Sequence, residues 1–185
     1  MKRCKWVDLK SKRYIEYHDN EWGIPSYEDS YLFEMLLLES FQAGLSWITI
    51  LNKRENFRKA FDEFDVLKIS NYDENKINDL MNNKGIIRNR LKINAAIQNA
   101  KIFINIQNEY GSFSNYIWKF TNYQIIKNED DQIKTTSKLS DEISFDLKNK
   151  GMKFVGSTII YSYLQAIGII NDHEKECYLY KKRTQ

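Results

Sequence analysis

The chain has 185 residues, of which 42% are hydrophobic and 29% are charged, and its formal net charge is +3. This composition excludes global disorder, and the mild charge permits an anionic partner without requiring one. We expect a single domain over residues 1–185, a length that suits one sizeable core or two small lobes that share an interface. The longest apolar run is too short and too often interrupted by polar residues for a membrane span. The N-terminal MKRCKWVDLKSKR lacks the apolar stretch of a signal peptide, so we predict a cytoplasmic protein.

The two cysteines and two histidines of the chain all lie in its terminal segments, 1–25 and 171–180. Two thiolates and two imidazoles make a complete tetrahedral set for Zn²⁺, and the H-x-x-x-C spacing at the C-terminal end separates two of them by one helical turn. We therefore predict one closed, structural zinc site that joins the two ends. Two unrelated cytosolic thiols with incidental histidines are the alternative, and a disulfide is less favoured in a reducing compartment. The predicted ligands are Cys4, His18, His173 and Cys177.

Aromatic residues are dense around the first histidine. Trp6, Tyr14, Tyr17 and Trp22 lie within a short stretch, and aromatic side chains near a terminus usually form core. Tyr17 and Trp22 flank His18, however, so a metal that holds His18 would also fix the directions of these two rings.

The central feature of the sequence is the apolar run over residues 35–51, which carries one charged residue, Glu39. On a single helix, Glu39 and Trp47 would share one buried stripe. The segment alone favours an exposed glutamate, because burying an unpaired carboxylate costs roughly several kcal/mol. Just before the run, Asp29 with its neighbouring serine offers an N-cap for the helix.

Further helices are predicted from periodicity and caps. An amphipathic helix over residues 52–64 places Arg54 on a solvated basic face, Asp73 or Asn75 caps a helix that ends near residue 85, and a long helix runs from residue 88 or 89 to about 110. A short helix follows over residues 113–120. Residues 122–137 are polar and predict the longest loop.

Residues 140–168 predict two helices joined by a glycine-bounded turn, GMKFVG. The start of the second helix would present unpaired backbone N–H groups beside a lysine, an arrangement that binds phosphate without reading base sequence. A plain helical hairpin would look similar. The predicted DNA-backbone residues are Gly151, Lys153, Gly156 and Ser157.

Several strings together resemble the bacterial 3-methyladenine-DNA glycosylase I family, and the likeness runs in order from Cys4 to Cys177. They are YHDNEWG (residues 17–23), QAGLSWITIL with KREN (42–56), GIIRNRLKI (85–93), KFVGSTIIYS (153–162) and QAIGIINDH (165–173). The resemblance implies an all-α helix-hairpin-helix glycosylase fold with a zinc site joining the N- and C-terminal segments. It also implies excision of N3-methyladenine from alkylated double-stranded DNA, with the free base as product. We expect a monomer.

Residue by residue, the family's zinc ligands match the four cysteines and histidines already named, and its base pocket matches Glu39, Tyr17 and Trp47, with Trp6 and Trp22 as further lining. The expected reaction is hydrolytic release of a flipped base without strand cleavage. The wider superfamily often keeps a carboxylate after the hairpin; Asp172 lies near that point, and we interpret it as a capping residue or as support for a zinc ligand. A zinc-containing protein that binds alkylation damage without catalysis is the alternative.

Overall fold

Nine α-helices form most of the computed structural model over the residues that it describes, 1–128 and 134–180. A pair of two-residue parallel strands, in which residue 126 lies opposite residue 170, is the only sheet in those ranges. The predicted all-α class is confirmed. The elements are α1 (Lys12–Asn20), α2 (Asp29–Gln42), α3 (Trp47–Ala60), α4 (Val66–Ser70), α5 (Glu74–Asn82), α6 (Arg90–Tyr110), α7 (Phe113–Trp118), β1 (Ile126–Lys127), α8 (Lys138–Asn149), α9 (Ser157–Ala166) and β2 (Ile170–Asn171), with 3₁₀ turns at Asp62–Phe64 and Lys119–Thr121.

Helix α2 lies at the centre of the hydrophobic core. Residues 32–41 are all buried, and the helix packs against α3, α6, α7 and α9. The buried stretch includes Glu34, which forms ion pairs with Arg54 and Arg58 at 2.7 Å each. Our prediction of a solvated Arg54 was therefore wrong. Its guanidinium is largely buried between Glu34 and Glu21, partners that periodicity within α3 does not reveal.

The predicted single helix over residues 35–51 was also wrong, because the run is divided between α2 and α3 by a short turn. Gly44 turns the chain with φ +79°. The buried Lys92 of α6 donates hydrogen bonds from Nζ to the carbonyl oxygens of Phe41 (2.8 Å) and Ala43 (2.6 Å). Carbonyls at a helix end lack helical partners, so this lysine stabilises the end of α2.

Asp29 has a different role from the predicted N-cap of α2. It is the first residue of that helix, which has no side-chain cap. Its carboxylate instead accepts hydrogen bonds of 2.8 Å from the backbone N–H groups of Phe113 and Ser114, at the start of α7. Asp73, one of the two predicted caps, caps α5, and Asn89, one of the two predicted starts of the long helix, is the N-cap of α6.

Helices α8 and α9 form the predicted hairpin, and α6 holds the turn between them. The side chain of Asn99 donates to the carbonyl oxygen of Lys153 (2.9 Å) and accepts from its N–H (2.8 Å). Ser144 of α8 donates to the carbonyl oxygen of Val155 at 2.7 Å. These bonds fix the turn, and with it the start of α9, against the rest of the fold.

The two ends of the chain lie together, as predicted. The N–H of Tyr178 donates to the carbonyl oxygen of Lys2 at 2.9 Å. None of the helices that the structure describes is both long and apolar enough to span a bilayer. The basic tail 181–183 lies outside the described residues, as do residues 129–133 of the predicted loop.

Candidate active site and metal centre

A cavity of about 340 Å³ lies among α1, α2, α3 and α9. Its size falls within the range of ligand pockets, about 300–1,000 Å³. All five predicted pocket residues are on its lining, which combines aromatic rings with a few polar groups. The lining residues are Trp6, Tyr14, Tyr17, Trp22, Glu39, Gln42, Trp47, Ser162 and Gln165.

Glu39 is buried, not exposed as its segment alone would favour. Its side chain is 2% exposed, and its Oε2 makes no hydrogen bond with any described residue. Burial raises the pKa of Glu39 from 4.5 to about 8. A carboxyl group without a protein partner that faces a cavity is suited to a ligand that supplies hydrogen-bond donors or positive charge.

Trp47 and Tyr17 form an aromatic corner beside this carboxyl group. Their ring centroids are 5.4 Å apart. The indole N–H of Trp47 is buried and donates to no atom of the described chain. Burial raises the pKa of Tyr17 well above its ordinary value, and the negative charge of Glu39 raises it further, so Tyr17 remains a neutral hydroxyl.

Trp6 and Trp22 continue the aromatic wall towards the predicted metal ligands. Their ring centroids are 5.0 Å apart, edge to face. The ring of Trp22 lies 6.1 Å from that of His18 and 4.7 Å from that of His173. The cavity wall and the metal centre are therefore in direct contact.

Four lining residues were missed as pocket residues at the sequence level: Tyr14, Gln42, Ser162 and Gln165. Helical spacing could have found two of them, since Tyr14 precedes Tyr17 by three positions and Gln42 follows Glu39 by three. No local pattern indicates that α9 lies beside the pocket.

Asp172 does not have the capping role that was one of our two expectations, while the other, support of a zinc ligand, stays a prediction. Its Oδ2 accepts hydrogen bonds from the hydroxyl of Tyr161 (2.7 Å) and from Nε2 of Gln165 (2.6 Å), both on α9. It caps no helix in the described part of the chain. Its carboxylate supports the polar side of the cavity instead.

Three of the four predicted metal ligands converge. The ligand atoms of Cys4, His18 and Cys177 lie within 4.8 Å of one another, and all three residues are buried. Nε2 of His18 is 3.4 Å from Sγ of Cys177, while Nδ1 of His18 is 2.8 Å from a carboxylate oxygen of Asp19. A carboxylate on one imidazole nitrogen leaves the other to bind a metal. Hydrogen bonds from Arg3 hold the pKa of Asp19 well below its usual range.

His173 lies beside these three residues but is not in the converging group. Its ring centroid is 5.2 Å from that of His18, and its Nδ1 is 2.9 Å from Oδ1 of Asn171. The donor set fits a metal ion. Burial raises the pKa of the Cys4 thiol, and the neighbouring Cys177 raises it further, so two thiolates at this place require a nearby cation.

The four predicted DNA-backbone residues lie at the hairpin end of α8 and α9. Gly151 follows α8 with φ +99°, and Gly156 precedes α9, whose first N–H groups have no side-chain cap. Lys153 is exposed. The hydroxyl of Ser157 lies 2.8 Å from that of Ser140. This surface is suited to an oxygen-rich anion.

A model of the methyladenine glycosylase family matches residues 6–180. The chain belongs to this family. DNA-3-methyladenine glycosylase 1 of Escherichia coli (strain K12) is 44% identical over 183 residues, which cover 97% of this chain and 97% of the relative. The relatives are named DNA-3-methyladenine glycosylases, and the prediction that the chain is a DNA glycosylase, a hydrolase of N-glycosidic bonds, is confirmed.

Solved structures confirm the predicted fold class of the chain. A crystal structure of 3-methyladenine DNA glycosylase I is similar with a TM-score of 0.92 and 44% identity, covering 96% of this chain and 98% of that one. A variant 3-methyladenine DNA glycosylase I in complex with 3-methyladenine has a TM-score of 0.90 and 35% identity, covering 96% and 97% of the two chains.

Proposed function

We propose that the protein is a monofunctional DNA glycosylase that flips N3-methyladenine out of alkylated double-stranded DNA and releases it by hydrolysis. The observation that carries the proposal is the buried, partnerless carboxyl oxygen of Glu39 in a cavity lined by aromatic rings. The similar structure in complex with 3-methyladenine supports this choice of base. We also infer that residues 1–185 form one domain and act as a monomer.

The chemistry of the damaged base fits these groups. Methylation at N3 gives adenine in DNA a positive charge, which makes its glycosidic bond labile and the neutral free base a good leaving group. A cationic base would favour the ionised form of Glu39, which accepts hydrogen bonds from the amino edge. Trp47 offers a ring face to the cation, worth about 1 kcal/mol, and Tyr17 can bind the base edge through its hydroxyl.

Backbone binding and base binding would share α9. The uncapped N–H groups at its start, together with Gly151, Lys153, Gly156 and Ser157, would bind phosphate, and Ser162 and Gln165 line the cavity further along the same helix. A rigid helix of this kind would hold the DNA backbone at a fixed distance from the pocket that receives the flipped base.

We propose that the metal is one structural Zn²⁺ per chain, bound by Cys4, His18, His173 and Cys177. A tetrahedral site with four protein ligands has no open position for water, so the ion would contribute to folding and not to the reaction. Its role would be to hold the two chain ends and the Trp22 wall of the cavity.

A damage-binding protein without catalysis would have the same pocket and hairpin, so the deciding experiment measures product. Methylated duplex DNA is incubated with the protein, and released bases are separated by chromatography. We expect free 3-methyladenine and intact strands; Glu39→Gln and Trp47→Ala should fold and lose excision. No released base at stoichiometric protein would refute the glycosylase, and strand cleavage would refute the monofunctional mechanism.

A further inference from the structure

The polar side of the cavity contains an amide whose orientation is fixed from outside. Gln165 lines the cavity, and its Nε2 donates to Oδ2 of Asp172 at 2.6 Å. The hydroxyl of Tyr161 donates to the same oxygen at 2.7 Å. Asp172 is not on the cavity lining, so it acts on the cavity through Gln165.

The chemistry of the two groups determines which end of the amide faces Asp172. Oδ2 of Asp172 accepts from both Tyr161 and Gln165, so Gln165 presents its NH₂ group to Asp172. The amide oxygen therefore lies on the other side, and it accepts no hydrogen bond from the described part of the chain. If the amide flipped, a donor would replace this acceptor.

One oxygen of the Asp172 carboxylate is poorly satisfied. Oδ1 is buried and has no hydrogen-bond partner among the described residues. An asparagine would fit the same space without a charge, but its amide can both donate and accept, so it would permit either orientation of Gln165. A permanent acceptor is what a fixed orientation requires.

We propose that Gln165 is a specificity-determining residue and that Asp172 is the residue that positions it. The inference rests on the proposed function of the cavity. Once the cationic base has favoured the ionised form of Glu39, the Gln165 oxygen and the Glu39 carboxylate present only acceptors to the base edge. They match the amino group of an N3-methylated 6-aminopurine, whereas the carbonyl of a 6-oxopurine would place acceptor against acceptor.

The test compares two damaged bases in one DNA sample. We measure the rates at which 3-methyladenine and 3-methylguanine are released from the same methylated duplex in single turnover. The proteins compared are the full-length, zinc-loaded wild type, Asp172→Asn, Gln165→Leu and the double variant that carries both substitutions. We expect Asp172→Asn to lower the preference for 3-methyladenine roughly tenfold, and Gln165→Leu to lower it equally. The double variant should be no worse than Gln165→Leu, since Asp172 acts through Gln165. Tyr161→Phe, which removes the other hydrogen bond to the same oxygen, should keep the preference.

The result that overturns the proposal is an unchanged preference in Gln165→Leu, or an equal loss for both bases in Asp172→Asn with normal zinc content and melting temperature. If Asp172→Asn loses its metal, the result for Gln165→Leu alone decides the proposal. If wild type releases neither base, the proposed function is refuted. In that case tryptophan fluorescence measures the affinities of the proteins for the two free bases at equilibrium. The ratio of these affinities then decides the roles of Gln165 and Asp172.

Discussion

Replacing Glu39 by glutamine should stabilise the protein at neutral and alkaline pH while abolishing its activity. Burial raises the pKa of Glu39 from 4.5 to about 8 in the folded protein. Each pKa unit corresponds to about 1.4 kcal/mol, so ionised Glu39 lowers the free energy of unfolding by about 5 kcal/mol above pH 8. Glutamine has nearly the same shape and no charge, and it removes this penalty.

The sign of the pH dependence follows from the protons bound in each state. Between pH 4.5 and about 8 the carboxyl group is ionised in the unfolded chain and protonated in the folded protein. Unfolding then releases a proton, and stability falls as pH rises. The advantage of Glu39→Gln should therefore be near zero at pH 4, roughly 3 kcal/mol at pH 7 and roughly 5 kcal/mol at pH 9.

Urea unfolding at these three pH values, followed by circular dichroism, measures the difference. Glu34→Gln is the matched control, because Glu34 is a second buried glutamate of α2 but is paired with Arg54 and Arg58. It should lose stability at pH 7, by roughly 2 kcal/mol, because its charge-assisted hydrogen bonds to the two arginines are weakened. If Glu39→Gln is no more stable than wild type at pH 9, the carboxylate has a solvated or paired environment, and our account of the cavity is refuted.

Three further variants test other parts of the molecule. Cys177→Ser should lose the bound zinc, measured by elemental analysis, and a full zinc content would contradict the site. Asn99→Leu removes both hydrogen bonds to the hairpin turn and should weaken the binding of undamaged duplex DNA roughly fivefold, measured by fluorescence anisotropy. The affinity for free 3-methyladenine should not change. Weaker binding of both ligands would indicate a general folding defect. Lys92→Met should lower stability by roughly 1–2 kcal/mol in urea unfolding, and no loss would deny its role at the end of α2.

Features that depend on neighbours in sequence could be predicted. Asp73 caps α5, and α6 begins directly after Asn89, close to where the local pattern places its start. The convergence of Cys4 and Cys177 was also predictable, since the metal-binding residue types are scarce and confined to the chain ends. In both cases the chemistry of the residue leaves few other arrangements.

Features that depend on a distant partner could not be predicted. The break between α2 and α3 is stabilised by Lys92, about fifty positions away. Asp29 accepts a hydrogen bond from a backbone N–H group at the start of α7, across an even longer separation in sequence. Arg54 looked solvated because its acidic partners, Glu34 on α2 and Glu21 just after α1, lie outside its own helix. For Asp172 the partner is close in sequence, but only the packing of α9 against the cavity shows what the bond to Gln165 does.

The cavity combines two walls whose stability has different origins. One wall is the part of α9 that contributes Ser162 and Gln165. Ser157, at the hairpin end of the same helix, precedes Gln165 by eight positions, or about 12 Å of helix, so the hairpin and this wall move as one rigid unit. Its aromatic wall depends on the chain ends, because Trp22 packs on His173 and Tyr17 directly precedes His18. Loss of metal should therefore impair recognition of the base before it impairs binding of the DNA backbone.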